Sequence, residues 1–226
     1  MAGPYYIVFA GVNGAGKSTL FKTGQWQHGP ITADFPRVNP DEILVESGWD
    51  WRDGAAQLRA GKEAVRRIRR HLANRESFNQ ETTLTGHTIM RNIREARKAG
   101  FYIVMFYVGL DDPAIANARI EHRGRIGGHV IDPPIVEKRY QASLANLIDV
   151  LDDCAEAYLY DNTSLLRLAA RLEYGELAYV DQERWAQGWT RGVLESLGYM
   201  EISLRTGEPN QPNKLDRRGD SPSVQF

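Results

Sequence analysis

Residues 5–18 read Tyr5-Tyr6-Ile7-Val8-Phe9-Ala10-Gly11-Val12-Asn13-Gly14-Ala15-Gly16-Lys17-Ser18, and this stretch decides the fold. Its first six residues are β-formers that run straight into Gly11, the pattern of a buried strand. Gly11 to Ser18 then fits the spacing G-x-x-x-x-G-K-[ST] at every fixed position. Glycines allow a backbone to wrap an anion with its N–H groups inward. A helix starting at Lys17 adds the positive end of its dipole. Lys17 brings a point charge for outer phosphates, and the Ser18 hydroxyl is a ligand type suited to Mg2+. Gly11, Asn13, Gly14, Ala15, Gly16, Lys17, Ser18 and Thr19 are therefore the expected nucleotide-binding residues, with Ser18 the expected metal contact.

Outward from this turn, strand and helix patterns alternate. A short strand is expected over 36–39, followed by a helix with Asn39 as N-cap and Pro40 at its first position. Residues 53–75 read as a long amphipathic helix. Its basic cluster (Arg66, Arg67, Arg69, Arg70 and His71) alternates with apolar residues at helical spacing, so it reads as a solvated face rather than a nucleic-acid patch. Strands are expected over 77–81, 101–108 and 156–161, and helices over 88–99, 111–123 and 134–151. The apolar run FYIVMFYV at 101–108 suits a strand covered on both faces. The expectation is a three-layer α/β P-loop fold with a mostly parallel central sheet. A terminal helix is expected over 180–197. One domain is expected over 1–205, its core over 5–161 and a less regular part over 175–205. A polar tail over 206–226, interrupted by Pro209, Pro212 and Pro222, is expected to be disordered or loosely attached.

Bulk composition excludes several classes. The chain has 226 residues, 42% hydrophobic and 25% charged, with a formal net charge of −1. That balance gives no polycation character for nucleic acid or anionic membrane. The start lacks the features of a signal peptide, and no run is long and apolar enough to span a bilayer. A single cysteine, Cys154, has Asp152, Asp153 and Glu156 as neighbours, which suits an idle thiol. A cytoplasmic location is the expectation.

Candidate chemistry lies at strand ends, where such sheets place ligands. Asp41 follows the second strand and has the chemistry of a base for an acceptor hydroxyl. Glu42 beside it is a rival for that role, and a helix N-terminus also favours acidic residues for their own sake. Glu81, Thr82 and Thr83 offer a carboxylate and two hydroxyls at a strand's carboxyl end, suited to a polar ligand. Arg119, Arg123 and Arg125 supply guanidinium groups of the kind that neutralise a transferring phosphoryl group, with surface salt bridging the ordinary alternative. His129 follows Gly127-Gly128 and suits phosphate contact or a turn cap.

Four segments in order resemble the zeta-toxin family of P-loop kinases, closest to its short bacterial branch: GVNGAGKST at 11–19, VNPDEI at 38–43, FNQETTLTG at 78–86 and RGRIGGHVIDPPIVEKRY at 123–140. The resemblance runs from about residue 5 to 161. It implies ATP and Mg2+ as cofactors and the 3′-hydroxyl of the amino sugar of UDP-N-acetylglucosamine as acceptor, with a related UDP-sugar as the near variant. It also implies an antitoxin partner covering the nucleotide site. It places Asp41 as the catalytic aspartate with Lys17, puts Glu81, Thr82 and Thr83 at the sugar nucleotide or in the Mg2+ shell, puts Arg119 and His129 at the substrate, and favours Arg123 and Arg125 as the lid arginines. Two other readings stay open: a kinase of another nucleotide or cofactor acceptor, and a nucleotide-dependent regulator without catalysis.

Overall fold

A computed structural model describes residues 3–125, 130–185 and 188–199. The elements run β1 (Tyr5–Ala10), α1 (Lys17–Thr23), β2 (Arg37–Val38), α2 (Pro40–Glu46), α3 (Gly54–Asn74), β3 (Phe78–Thr82), α4 (His87–Lys98), β4 (Tyr102–Gly109), α5 (Pro113–Arg125), α6 (Pro133–Val150), β5 (Glu156–Asp161), β6 (Arg167–Glu173), β7 (Glu176–Val180), α7 (Gln182–Trp185) and α8 (Trp189–Ser196). They build one seven-stranded sheet in the order β2-β3-β1-β4-β5-β6-β7. The strands from β2 to β5 pair in parallel, while β6 and β7 are antiparallel additions.

Both faces of the sheet are covered, so β1 and β4 at its middle are near-continuous apolar runs rather than alternating ones. Along β1, Tyr6, Val8 and Ala10 face one core with Ala56, Ala60 and Ile68 of α3 and Ile93 of α4. Ile7 and Phe9 face the other, with Leu20 of α1, Trp26, and Ala116 and Ile120 of α5. This period-two sorting makes the three layers. Helix starts follow the local sequence. Asn39 is extended (φ −133°) and its side chain accepts the Asp41 N–H, with Pro40 at the first helical position. Asp53 caps α3 in the same way.

Strand order fixes where a ligand can sit. After β1 the chain crosses to β2 at the sheet edge, returns through β3, and then passes over β1 to β4. The reversal opens a crevice at the carboxyl ends of β1, β3 and β4, where open parallel sheets bind ligands.

The terminal region differs from expectation. In place of one helix over 180–197, the chain forms two short helices, α7 and α8, and ahead of them a β6–β7 hairpin that the sequence reading did not assign. The residues RLAARLE of β6 are strong helix formers, yet pairing with β5 overrides that propensity. Tyr174 (φ 51°) and Gly175 (φ 79°) form a two-residue turn with Glu173 opposite Glu176, the left-handed geometry that tight hairpins favour. The tail at 206–226 lies outside the described residues. Among the described residues no helix is long and apolar enough to cross a membrane.

Candidate active site

The phosphate-loop turn leaves β1 at the sheet's centre. Gly11 has φ 135°, and a Cβ there would lie 2.2 Å from the Val108 carbonyl oxygen. Gly16 has φ 111°, and its Cβ would lie 2.3 Å from Asn162 Nδ2. Neither position tolerates a side chain. The turn is braced from the protein side. Asn162 Nδ2 donates to the Ala15 carbonyl at 2.7 Å, and Arg119 reaches the Gly14 carbonyl at 3.5 Å. Arg139 Nη1 donates to Asn13 Oδ1 at 2.8 Å. Because a trans peptide sets its N–H opposite its C=O, holding the Ala15 carbonyl outward turns the Gly16 N–H to the other side. Gly16 caps α1 without a side-chain partner, so the first-turn amides remain for an anion.

Lys17 is buried, and its Nζ donates to the Val12 carbonyl at 3.1 Å. Burial pushes its pKa down, Glu81 and Asp41 push it up, and Arg123 and Arg139 add to the lowering. Lys17, Arg123 and Arg139 thus face Glu81 and Asp41 with an excess of positive charge, a balance suited to anionic phosphates.

Ser18 lies one position further along. Its hydroxyl donates to Glu81 Oε1 at 3.1 Å and Oε2 at 3.2 Å. Glu81 also takes Arg37 Nη2 at 2.5 Å and Asn39 Nδ2 at 3.3 Å. Ser18 and Glu81 thus present only oxygen donors, a set that fits Mg2+ held by one carboxylate, a hydroxyl and phosphate oxygens.

Asp41 and Glu42 separate clearly. Glu42 Oε1 is taken by Arg37 Nε at 2.8 Å and Asn39 Nδ2 at 3.2 Å. The Asp41 carboxylate is exposed and has no hydrogen-bond or ion-pair partner among the described residues, while its charge acts on Lys17.

The remaining expected residues disperse. Thr82 Oγ1 accepts the Leu84 N–H at 3.1 Å, and Thr83 Oγ1 meets Thr85 Oγ1 at 2.8 Å. Thr19 is exposed in the first turn of α1. Arg119 spends its guanidinium on backbone carbonyls, including that of Asn162 at 2.7 Å. Arg123 is felt at Lys17, whereas Arg125 forms an exposed pair with Glu121 at 2.7 Å. An i,i+4 pair is what a solvated helix face makes of an arginine. Arg139, rather than Arg125, accompanies Arg123 at the lysine. His129 lies outside the described residues. Arg139, Asn162, Arg37 and Asn39 gain site roles that sequence reasoning did not give them. Asn162 directly follows a strand end, which is the one signal that marks it.

No protein-family profile matches the chain. The chain does match an uncharacterised Haemophilus influenzae protein, 31% identical over 134 residues that cover 59% of this chain and 91% of that protein. Among solved structures, the AvrRxo1-ORF1:AvrRxo1-ORF2 complex with sulfate is similar at TM-score 0.61 and 17% identity, over 81% of this chain and 63% of that one. The same complex with ATP gives 0.58 and 15%, over 82% and 63%. The PezAT chromosomal toxin–antitoxin system of Streptococcus pneumoniae gives 0.51 and 15%, over 86% and 77%. This chain thus spans about 63% of the AvrRxo1 chains it matches. The likeness to these structures is one of fold: an α/β P-loop fold with a mostly parallel central sheet. By its sequence identity, the chain belongs to the same family as the Haemophilus influenzae protein.

Proposed function

We propose that the chain is an ATP- and Mg2+-dependent small-molecule kinase whose acceptor is the sugar hydroxyl of UDP-N-acetylglucosamine or a related UDP-sugar. The observation that carries the kinase reading is the convergence at one sheet end of a buried Lys17, the Ser18–Glu81 pair and the unpartnered Asp41 carboxylate. The AvrRxo1 complex with ATP and the PezAT toxin–antitoxin system support the same direction through their fold. The acceptor rests on the resemblance of the four sequence segments.

Each residue then has a task. The turn from Gly11 to Ser18 cradles the phosphates, with Lys17 swinging from the Val12 carbonyl to the outer phosphate oxygens. Ser18 and Glu81 hold Mg2+, which supplies charge neutralisation when bound. The acceptor hydroxyl attacks the γ-phosphorus, its proton passes to the Asp41 carboxylate, and the bond to the bridging oxygen breaks to release ADP. Arg123 and Arg139 offset the negative charge of the transferring group. Thr82, Thr83, Arg119 and His129 are assigned to the acceptor side by resemblance, although the hydrogen bonds of Thr82 and Arg119 favour scaffolding roles; of the two places the resemblance allows Glu81, its bond to Ser18 favours the Mg2+ shell. A proteinaceous antitoxin over the nucleotide crevice is the proposed partner.

The test incubates the protein with ATP, Mg2+ and UDP-N-acetylglucosamine and looks by mass spectrometry for a sugar nucleotide heavier by one phosphoryl group. Product seen with the wild type and lost in Lys17→Ala supports the proposal. ATP binding without product moves the acceptor to another nucleotide or cofactor. GTP belongs in the same screen, because Asn213-Lys214-Leu215-Asp216 carries the Asn-Lys-x-Asp pattern that reads guanine, although it lies outside the described residues.

A further inference from the structure

Arg37 is the most heavily engaged cation near the site. It sits on the short edge strand β2, with only 11% of its side chain exposed. Its guanidinium lies over the Phe21 ring, 3.7 Å from the centroid, and 5.6 Å from that of Phe9. Phe21 belongs to α1, the helix that begins with Lys17 and Ser18. Three donors are then spent in one plane: Nε on Glu42 at 2.8 Å, Nη1 on Asn79 Oδ1 at 3.1 Å, and Nη2 on Glu81 at 2.5 Å. Asn79 is itself locked, its Nδ2 donating to the Phe35 carbonyl at 2.9 Å. Asn39 adds a second donor to both carboxylates and caps the helix that carries Asp41.

The guanidinium is therefore fixed across its face by an aromatic ring and around its edge by three acceptors. Lysine lacks the planar fork for this arrangement. What Arg37 orients is the Glu81 carboxylate, and that carboxylate meets the Ser18 hydroxyl. Carboxylates that ligate metals are held by such outer partners, which set orientation and affinity.

Resting on the kinase reading above, we propose that Arg37 is a positioning residue: it holds Glu81 against the phosphate-loop hydroxyl of Ser18 and thereby sets the Mg2+ concentration at which nucleotide binds tightly. Arg37 touches neither nucleotide nor acceptor in this account. Its effect passes entirely through the aim of one carboxylate.

The experiment titrates Mg2+ into the full chain with a fluorescent ATP analogue and reads the half-saturating Mg2+ concentration for nucleotide binding, with no acceptor present. Arg37→Met keeps the apolar stem over Phe21 and removes the donors. It is expected to raise the Mg2+ half-saturation about ten-fold, with binding in EDTA unchanged. Arg37→Lys, the milder variant, is expected to shift it in the same direction and guards against misfolding, which thermal melting detects. In a Glu81→Gln background Arg37→Met is expected to add no further shift, since the two act through one carboxylate. Unchanged Mg2+ half-saturation in both Arg37 variants overturns the proposal, as does a shift that persists in full once Glu81 is replaced. If the wild type binds no nucleotide, the kinase reading itself fails and takes this role with it. If the wild type binds nucleotide without regard to Mg2+, only the Arg37 role and the metal assignment fall.

Discussion

The two ends of the parallel sheet carry polar clusters of similar richness and opposite character. At the amino end, Glu156 accepts from Tyr102 at 2.7 Å and from Tyr158 at 2.6 Å, and meets His28 Nε2 at 2.9 Å. His28 Nδ1 is occupied by the Trp26 carbonyl at 2.9 Å. That cluster is closed on itself. At the carboxyl end, among the described residues, Asp41 has no partner for its carboxylate and the buried Lys17 ammonium donates only to a backbone carbonyl. A histidine, a carboxylate and two tyrosines look catalytic as a set. On the kinase reading proposed above, it is unused bonding capacity, and not the mere gathering of titratable groups, that distinguishes the proposed ligand site from the other end.

Substitutions at the two ends should separate accordingly, and the largest effect belongs to the carboxyl end. Lys17→Ala is expected to lower ATP-dependent transfer about 1,000-fold, measured by product formation under saturating acceptor, with nucleotide binding weakened as well. Asp41→Asn should reduce kcat by about 100-fold or more while leaving nucleotide affinity within about two-fold, since the base touches the acceptor and not ATP. Glu42→Gln should leave kcat within about ten-fold, because that carboxylate is already committed to Arg37 and Asn39. An equal loss in both variants would erase the distinction between the neighbouring acids.

The amino end should answer in stability, not catalysis. Burial alone would raise the Glu156 pKa, but hydrogen bonds from Tyr158, Tyr102 and His28 outweigh it, and the carboxyl lies below its ordinary value. A depressed folded pKa contributes stability above the unfolded value, about 4.3, and that contribution is lost as pH falls through the folded value. Glu156→Gln is expected to destabilise the fold by about 1–3 kcal/mol at pH 7 and to flatten the acid limb below about pH 4.3, read by chemical denaturation across pH. Transfer activity of the folded fraction should not change. The smallest effect is expected at Arg125, where Arg125→Ala should alter transfer by less than about two-fold, as befits an exposed pair. Arg139→Ala, by contrast, should cost about ten-fold or more, and the reverse ranking would restore Arg125 to the site.

Local sequence carried most of the fold. The β1 run, the glycine turn, the Asn39-Pro40 helix start and the Glu156–Asp161 strand follow from periodicity and capping chemistry, and each stands where those rules put it. The β6–β7 hairpin was hidden because Leu, Ala, Arg and Glu in β6 favour helix, and only pairing with β5 makes them a strand. In the site, Lys17 and Ser18 were legible from spacing. Arg139 was not, since its contact with Asn13 spans 126 positions, nor was Asn162, whose hold on Ala15 spans 147. No local rule links residues so far apart. Arg37 was overlooked for another reason: an arginine on a short edge strand has the composition of ordinary surface, and its neighbours Phe21, Glu42 and Glu81 come together only in the fold.

On the proposed reading, the carboxyl end of the sheet transfers the γ-phosphoryl group of a nucleotide to a hydroxyl. The most direct measurement follows that group from isotopically labelled ATP in the presence of Mg2+ and UDP-N-acetylglucosamine. The label is expected on the sugar nucleotide with wild-type protein and is expected to disappear with Lys17→Ala. Label recovered only as inorganic phosphate, or left entirely on ATP across a panel of UDP-sugars, nucleotides and cofactors bearing hydroxyls, would contradict it.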